Sequence, residues 1–180
     1  TSMTQTALPW SLSNISMADE VTESEAATWA DVNKGFMDLK LIQTSFTVSD
    51  LDRSVAFYRD VLGMPLVAQN QQVGETIRAV SGYPDAHLRI AILKSGDHDI
   101  ELIQYVSPDG ERVAPERHNT GAAHLAFRVN DADVAYRELL AKGVRFTSTP
   151  QDFGAVRACY FSDPDGITLE LIEFKPQSQD

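Results

Sequence analysis

The polar and apolar positions of this chain change their spacing several times, and each change marks an element. The run from Leu41 to Val48 reads as a strand, with Gln43, Ser45 and Thr47 on one face and Thr44, Phe46 and Val48 on the other. Asp50 then stands where a helix N-cap belongs. Val55, Tyr58 and Leu62 follow at helical spacing, and Gly63 supplies the stop. Strand-like runs come next at Pro65 to Gln69, Glu75 to Val80, His87 to Leu93 and Asp99 to Tyr105, the first two compatible with one bent hairpin. A connector over 107–121 contains the turn signal Pro108-Asp109-Gly110. The same order then returns. Ala122 to Val129 is a strand, and Asp131 caps a helix carrying Val134, Leu139 and Leu140 that ends at Gly143. Strands follow at Val144 to Thr147, Ala155 to Phe161 and Ile167 to Phe174, the last two joined by Asp163-Pro164-Asp165-Gly166.

The recurrence is an internal repeat. Val48-Ser49-Asp50-Leu51-Asp52 matches Val129-Asn130-Asp131-Ala132-Asp133, and Glu101-Leu102-Ile103 matches Glu170-Leu171-Ile172 letter for letter. Each copy is a βαβββ unit whose sheet would have one uncovered apolar face if left alone. The expected fold is therefore α+β, with two βαβββ modules paired about a pseudo-twofold axis into a curved eight-stranded mixed sheet and helices outside. The expected boundaries are 39–106 for the first module, 107–121 for the connector, 122–175 for the second module and 176–180 for a tail. Residues 1–38 differ in composition, being rich in Ser, Thr, Ala and acidic residues. Within them Thr22-Glu23-Ser24-Glu25 reads as a capping box, and Trp29, Val32 and Phe36 predict one helix in this N-terminal extension.

Charge and composition narrow the function. The 180 residues carry a formal net charge of -11, which argues against nucleic acid and against an anionic membrane surface as partners. No apolar stretch approaches a membrane span. The first residues lack the basic start and apolar block of a secretory leader. The single cysteine, Cys159, excludes an intrachain disulfide and fits a reducing, cytoplasmic setting. It falls in a strand, where a buried inert thiol is expected.

The repeat also brackets a set of metal-capable side chains. Gln43 lies five residues before Val48, and His124 lies five residues before Val129, so the two are equivalent positions on the first strand of each copy. Glu101 and Glu170 are equivalent positions on the last strand of each copy. Random scatter would not place four such groups on two symmetry-related pairs. Tyr105 shares the parity of Glu101, and Arg128 that of His124, which marks them as candidate pocket residues, Arg128 for an anionic group.

Together these residues resemble the vicinal oxygen chelate superfamily, the glyoxalase, bleomycin-resistance and extradiol dioxygenase group. The resemblance covers about residues 39 to 175. It rests on Leu51-Asp52-Arg53-Ser54-Val55-Ala56-Phe57-Tyr58 with Leu62-Gly63, on Gly121-Ala122-Ala123-His124-Leu125-Ala126-Phe127, and on Asp163-Pro164-Asp165-Gly166 with Leu169-Glu170-Leu171. It implies Gln43, Glu101, His124 and Glu170 as ligands of one divalent ion (Zn, Ni, Co or Mn), a set similar to that of glyoxalase I enzymes. It implies a lyase or isomerase that abstracts a proton next to a metal-bound carbonyl or enediolate, with Glu170 as base and Glu101 acting on the other face. Ser45, Thr47, Tyr105, Arg128 and Thr168 would contact a small substrate with two adjacent oxygens. The positions that contact glutathione in glyoxalase I are here Thr47, Tyr105, Thr120 and Thr168, so the glutathione hemithioacetal is not the expected substrate. The alternatives are an acyl-CoA epimerase of the same superfamily and a non-catalytic binding protein of the bleomycin-resistance type. Strand exchange between subunits in such proteins implies a homodimer.

Overall fold

Two aspartates open the two longest helical segments in the same way. Asp50 (φ -144°, ψ 107°) accepts the Arg53 amide at 3.1 Å, and Asp131 (φ -147°, ψ 113°) accepts the Val134 amide at 2.8 Å. Each extended aspartate thus satisfies an orphan donor of the first turn. Each helix leads to a glycine with positive φ, Gly63 at 77° and Gly143 at 85°, a backbone region that side chains with a Cβ avoid.

The computed structural model describes residues 40–113 and 116–176. The chain divides into units 1–41 and 42–180, and every element named below belongs to the second. The helix expected over Trp29, Val32 and Phe36, with its capping box at Thr22, lies outside the described residues, as does nearly all of the tail. The first module runs β1 (Gln43–Thr47), α1 (Leu51–Ala56) continued by a π-helical turn (Phe57–Val61), β2 (Leu66–Val73), α2 (Glu75–Ser81), β3 (His87–Ser95) and β4 (His98–Ser107). The second runs β5 (His124–Arg128), α3 (Ala132–Ala141), β6 (Arg145–Phe146), β7 (Gln151–Asp152), β8 (Val156–Ser162) and β9 (Thr168–Phe174). No described helix is long and apolar enough to cross a membrane.

Two expectations about elements need correction. Glu75 to Val80 is helical, not a strand, and it does not form a bent hairpin with the preceding run. β2 instead continues to Val73 and pairs with β3 along its whole length. Gly74, at φ 103°, breaks the extended backbone, and Gly82, at φ 76°, closes a short helix in the left-handed conformation. In α3, Leu139 is buried as expected, but Val134 and Leu140 are 40% and 48% exposed. Ala132, Ala135 and Tyr136 make the inward face with Leu139.

The α+β class and the duplicated order hold, but the strands form two sheets. The orders are β1-β4-β3-β2 and β5-β9-β8-β6, with β7 also on β8. Both modules use a parallel pair of first and last strands. Ser45 stands beside Glu101 in one and Ala126 beside Glu170 in the other. The single eight-stranded sheet is not closed within one chain. β1 and β5 are both edge strands, and no described strand pairs with their outer edges.

What joins the modules is their apolar faces. Val48, Leu51, Val55, Tyr58, Leu93, Ile100 and Leu102 of the first module share one buried cluster with Leu139, Val144, Phe161, Leu169 and Leu171 of the second. Each large side chain fully buried there contributes about 1.5–3 kcal/mol. Helices α1 and α3 therefore lie on the side of the sheets where the modules meet. A polar latch reinforces the seam. Asp165, in the β8–β9 turn, accepts the Ser49 amide at 3.0 Å, the Ser49 hydroxyl at 2.6 Å and the Arg53 guanidinium at 2.5 Å. Tyr58 donates to Asp163 at 3.4 Å.

Candidate metal and substrate site

Glu101 sits between buried Ile100 and Leu102, and Glu170 sits between buried Leu169 and Leu171. Alternation along a strand then forces both carboxylates onto the face opposite the shared core. The polar row of β1 lies on the same side as Glu101. Gln43 Nε2 donates to Glu101 Oε2 at 2.8 Å, and Ser45 Oγ donates to the same oxygen at 2.5 Å. In the second module His124 Nε2 lies 3.2 Å from Glu170 Oε2, with side-chain exposures of 44% and 12%.

The four expected ligands thus come together as two pairs. The pairs do not meet within one chain: among the described residues there is no group of three or more His, Cys, Asp or Glu side chains able to hold a metal ion. The reason is the packing just described. The modules bury their apolar faces against each other, so the ligand faces point away from the common core.

Ligands about 2.1 Å from one ion at right angles stand roughly 3.0 Å apart, close to the 3.2 Å between His124 Nε2 and Glu170 Oε2. Two carboxylates, an imidazole and an amide oxygen form a donor set for a borderline-to-hard ion. Gln43 now turns its NH2 group toward Glu101, so ligation requires the amide to rotate and present its oxygen.

The other expected contact residues divide. Ser45 and Thr47 are exposed on the ligand face. Tyr105 is half-buried and packs edge-on against Tyr83, ring centroids 5.8 Å apart. Arg128 is exposed and lies over the Phe174 ring at 5.2 Å, without an ion pair to a described residue. Thr168 is only 4% exposed, next to His124 in the strand register, so it is closed to a ligand within this chain. Cys159 is buried, and burial pushes its thiol up to about 11, which fits an inert group.

Two residues at the second pair escaped the sequence reading. Tyr160 stands beside Glu170 in the β8–β9 register, and its ring meets His124 edge-on at 5.4 Å. Arg117, from the connector, lays its guanidinium over the Tyr160 ring, 5.1 Å from its centre. The register of β8 against β9 was the signal available for Tyr160. Arg117 lies outside any periodic segment, so no pattern pointed to it.

Known proteins share this architecture. The model of the Glyoxalase/Bleomycin resistance protein/Dioxygenase superfamily matches residues 40–171. A 2-epi-5-epi-valiolone epimerase from Actinomyces is 36% identical over 138 residues, covering 71% of this chain and 75% of that protein. A lactoylglutathione lyase from Haemophilus influenzae is 29% identical over 141 residues, covering 76% of this chain and 94% of that protein. Among solved structures, a glyoxalase family protein from Bacillus cereus aligns with a TM-score of 0.71 at 22% identity, covering 79% of this chain and 98% of that one, and so shares the fold. Lyases and epimerases thus stand among its relatives, and the chain belongs to the Glyoxalase/Bleomycin resistance protein/Dioxygenase superfamily.

Proposed function

We propose that this protein is a divalent-metal-dependent isomerase or lyase whose site is completed across a homodimer. Gln43 and Glu101 of one copy and His124 and Glu170 of another would hold the ion, with Zn, Ni, Co or Mn matching the donors. One observation carries the reading. Two donor pairs occupy equivalent register positions, face away from the core, and lie on or beside edge strands with no described partner. A twofold operation bringing β1 of one copy to β5 of the other would create two identical four-ligand sites and extend the sheet.

When bound, the ion supplies Lewis-acid stabilisation of negative charge growing on a substrate oxygen. Glu170 would remove the proton from the carbon next to a carbonyl, with His124 Nε2 3.2 Å from its carboxylate. Glu101, from the facing half and protonated at the outset, would give a proton to the same or the neighbouring carbon, and solvent would then take the proton from Glu170 and reprotonate Glu101. Ser45 holds Glu101 for that role by donating to it at 2.5 Å. A carboxylate on each half serves both faces of a planar carbon, which suits epimerisation as well as isomerisation. The substrate is a small molecule with two adjacent oxygens. The glutathione hemithioacetal is disfavoured, since Thr47, Tyr105, Thr120 and Thr168 occupy the positions that would contact the thiol cofactor.

Mixing two crippled variants tests the assembly. Glu101→Ala and Glu170→Ala homodimers each lack a ligand in both sites. In their heterodimer one site carries both lesions and the other carries none. A statistical mixture therefore recovers about a quarter of the wild-type sites. Metal content after dialysis and solvent deuterium uptake into a panel of α-hydroxycarbonyl compounds are the readouts. No recovery from a mixture shown to exchange subunits refutes assembly across the dimer. Full deuterium uptake by Glu170→Gln with metal retained refutes its role as base.

A further inference from the structure

In a chain of net charge -11, two arginines stand against rings on the ligand face of the second module. Arg117 lies over Tyr160, and Arg128 lies over Phe174. Neither guanidinium has a carboxylate partner among the described residues. Both rings stand on the side of the sheet that bears Glu170. Tyr160 is its register neighbour, and Phe174 shares its parity along β9. Arg53, Arg59, Arg89 and Arg157 are held by aspartates, at Asp165, Asp60, Asp52 and Asp133, while Arg78, Arg112, Arg137 and Arg145 likewise make no ion pair with a described carboxylate; what sets Arg117 and Arg128 apart is their place on the ligand face.

Of these two, Arg117 stands on the ring that also meets His124. Its guanidinium is 5.1 Å from the Tyr160 ring centre, and that ring is 5.4 Å from the His124 ring. The guanidinium therefore lies within the sum of those two distances of a proposed ligand. That is an upper bound, and once the ion and the guanidinium each take their own contact distance from it, a small molecule gripped by two of its oxygens can bridge the remainder. Stacking on an aromatic face holds a guanidinium flat while leaving its N–H edge free to form a forked pair with an oxyanion.

We propose that the substrate carries an oxyanion, a carboxylate or a phosphate, beside its two adjacent oxygens, and that Arg117 on the Tyr160 wall is the specificity-determining residue that receives it. This rests on the metal-site reading above. It narrows the substrate class from any vicinal dioxygen compound to a small anionic one. The acidic chain repels free anions at long range, so the preference arises from the local pair and not from steering.

Three hydroxamates share a two-oxygen chelating head and differ in the appended charge. Acetohydroxamate has no added anion, N-hydroxysuccinamate adds a carboxylate, and phosphoglycolohydroxamate adds a phosphate. Each is titrated into the full chain loaded with Co(II), and the visible spectrum of the ion reports binding. The expected result is that at least one anionic probe binds roughly ten- to a hundredfold more tightly than acetohydroxamate. Arg117→Gln should abolish that ratio and Arg117→Lys should restore part of it. The tighter anionic probe identifies which oxyanion the site takes. If acetohydroxamate binds and neither anionic probe exceeds it, or if Arg117→Gln keeps the ratio, the Arg117 assignment is overturned while the metal site stands. If no hydroxamate alters the spectrum of the ion, the metal-site reading fails, and this assignment with it.

Discussion

Replacing Asp165 by alanine should loosen the seam between the modules by a predictable amount. The carboxylate is 10% exposed and takes three short hydrogen bonds from the first module, one from the Ser49 amide, one from its hydroxyl and one from Arg53. Hydrogen bonds to a charged group are worth about 1.5–3 kcal/mol each, but three on one carboxylate do not add. The donors are also accessible: Ser49 is exposed and the Arg53 side chain is 44% exposed, so water replaces part of what is lost. The expected loss is about 2–3 kcal/mol. For a folded unit of this size that lowers Tm by roughly 6–10 °C. Asp165→Asn keeps one acceptor, for the Ser49 amide, and should lose about 1 kcal/mol. The pH dependence has a definite sign. Burial pulls Asp165 upward, but the Ser49 and Arg53 donors outweigh it and hold the carboxyl below its ordinary value. Its contribution is therefore present above the unfolded carboxyl's titration range and lost as pH falls through the folded one. Asp163 goes the other way. Its carboxyl is raised chiefly by burial, so its contribution is present in acid and lost as pH rises through its folded value. The assay is urea unfolding of the wild type and both variants from neutral to acid pH. The Asp165→Ala deficit should shrink toward the acid end. A midpoint for Asp165→Ala within about 0.5 kcal/mol of wild type at neutral pH refutes the latch.

Three further outcomes follow from the same packing. Phe161→Ala empties a site 1% exposed in the shared cluster, against Phe146 at 5.3 Å, and should cost about 3–5 kcal/mol by denaturant unfolding. A loss under 1 kcal/mol would mean that the cluster does not join the modules. Asp131→Ala removes the acceptor of the Val134 amide and should cost about 1 kcal/mol in the same assay, with Asp50→Ala similar, whereas Asp131→Ser retains most of it. Cys159, buried and pushed up to about 11, should resist a thiol reagent at pH 8 in the native protein and react within seconds in guanidinium; native labelling at the unfolded rate contradicts the burial.

The sequence made the modules legible because their signals are local. The aspartate caps at 50 and 131, the glycine stops at 63 and 143, and the Glu-Leu-Ile identity at 101 and 170 each depend on a few neighbouring residues. The short helix Glu75–Ser81 was missed because none of its side chains is buried. Without a buried face a helix has no apolar period, and only Gly74 and Gly82 at its ends betray it. Arg117 was missed for a related reason, since a connector has no period against which a side chain can be placed.

The grouping of the four ligands shows a different kind of limit. Strand parity put Gln43, Ser45 and Thr47 on one face, and the repeat matched Gln43 with His124 and Glu101 with Glu170 on what was expected to be one shared face. Parity does not say which faces of two sheets meet. Each module has one apolar face and its first strand at an edge, and joining the modules by edges or by faces satisfies the same alternation. Here the faces win inside the chain, because stacking them covers Leu93, Ile100, Leu102, Phe161 and Leu169 on both sides at once. That choice leaves both ligand faces turned outward and both first strands at an edge. The repeat makes the consequence symmetrical: whatever one half-site lacks, an identical chain carries at the equivalent register. On the proposed reading the two outward pairs are complementary half-sites, and for a duplication that buries its own apolar faces a second copy is the simplest source of the missing ligands.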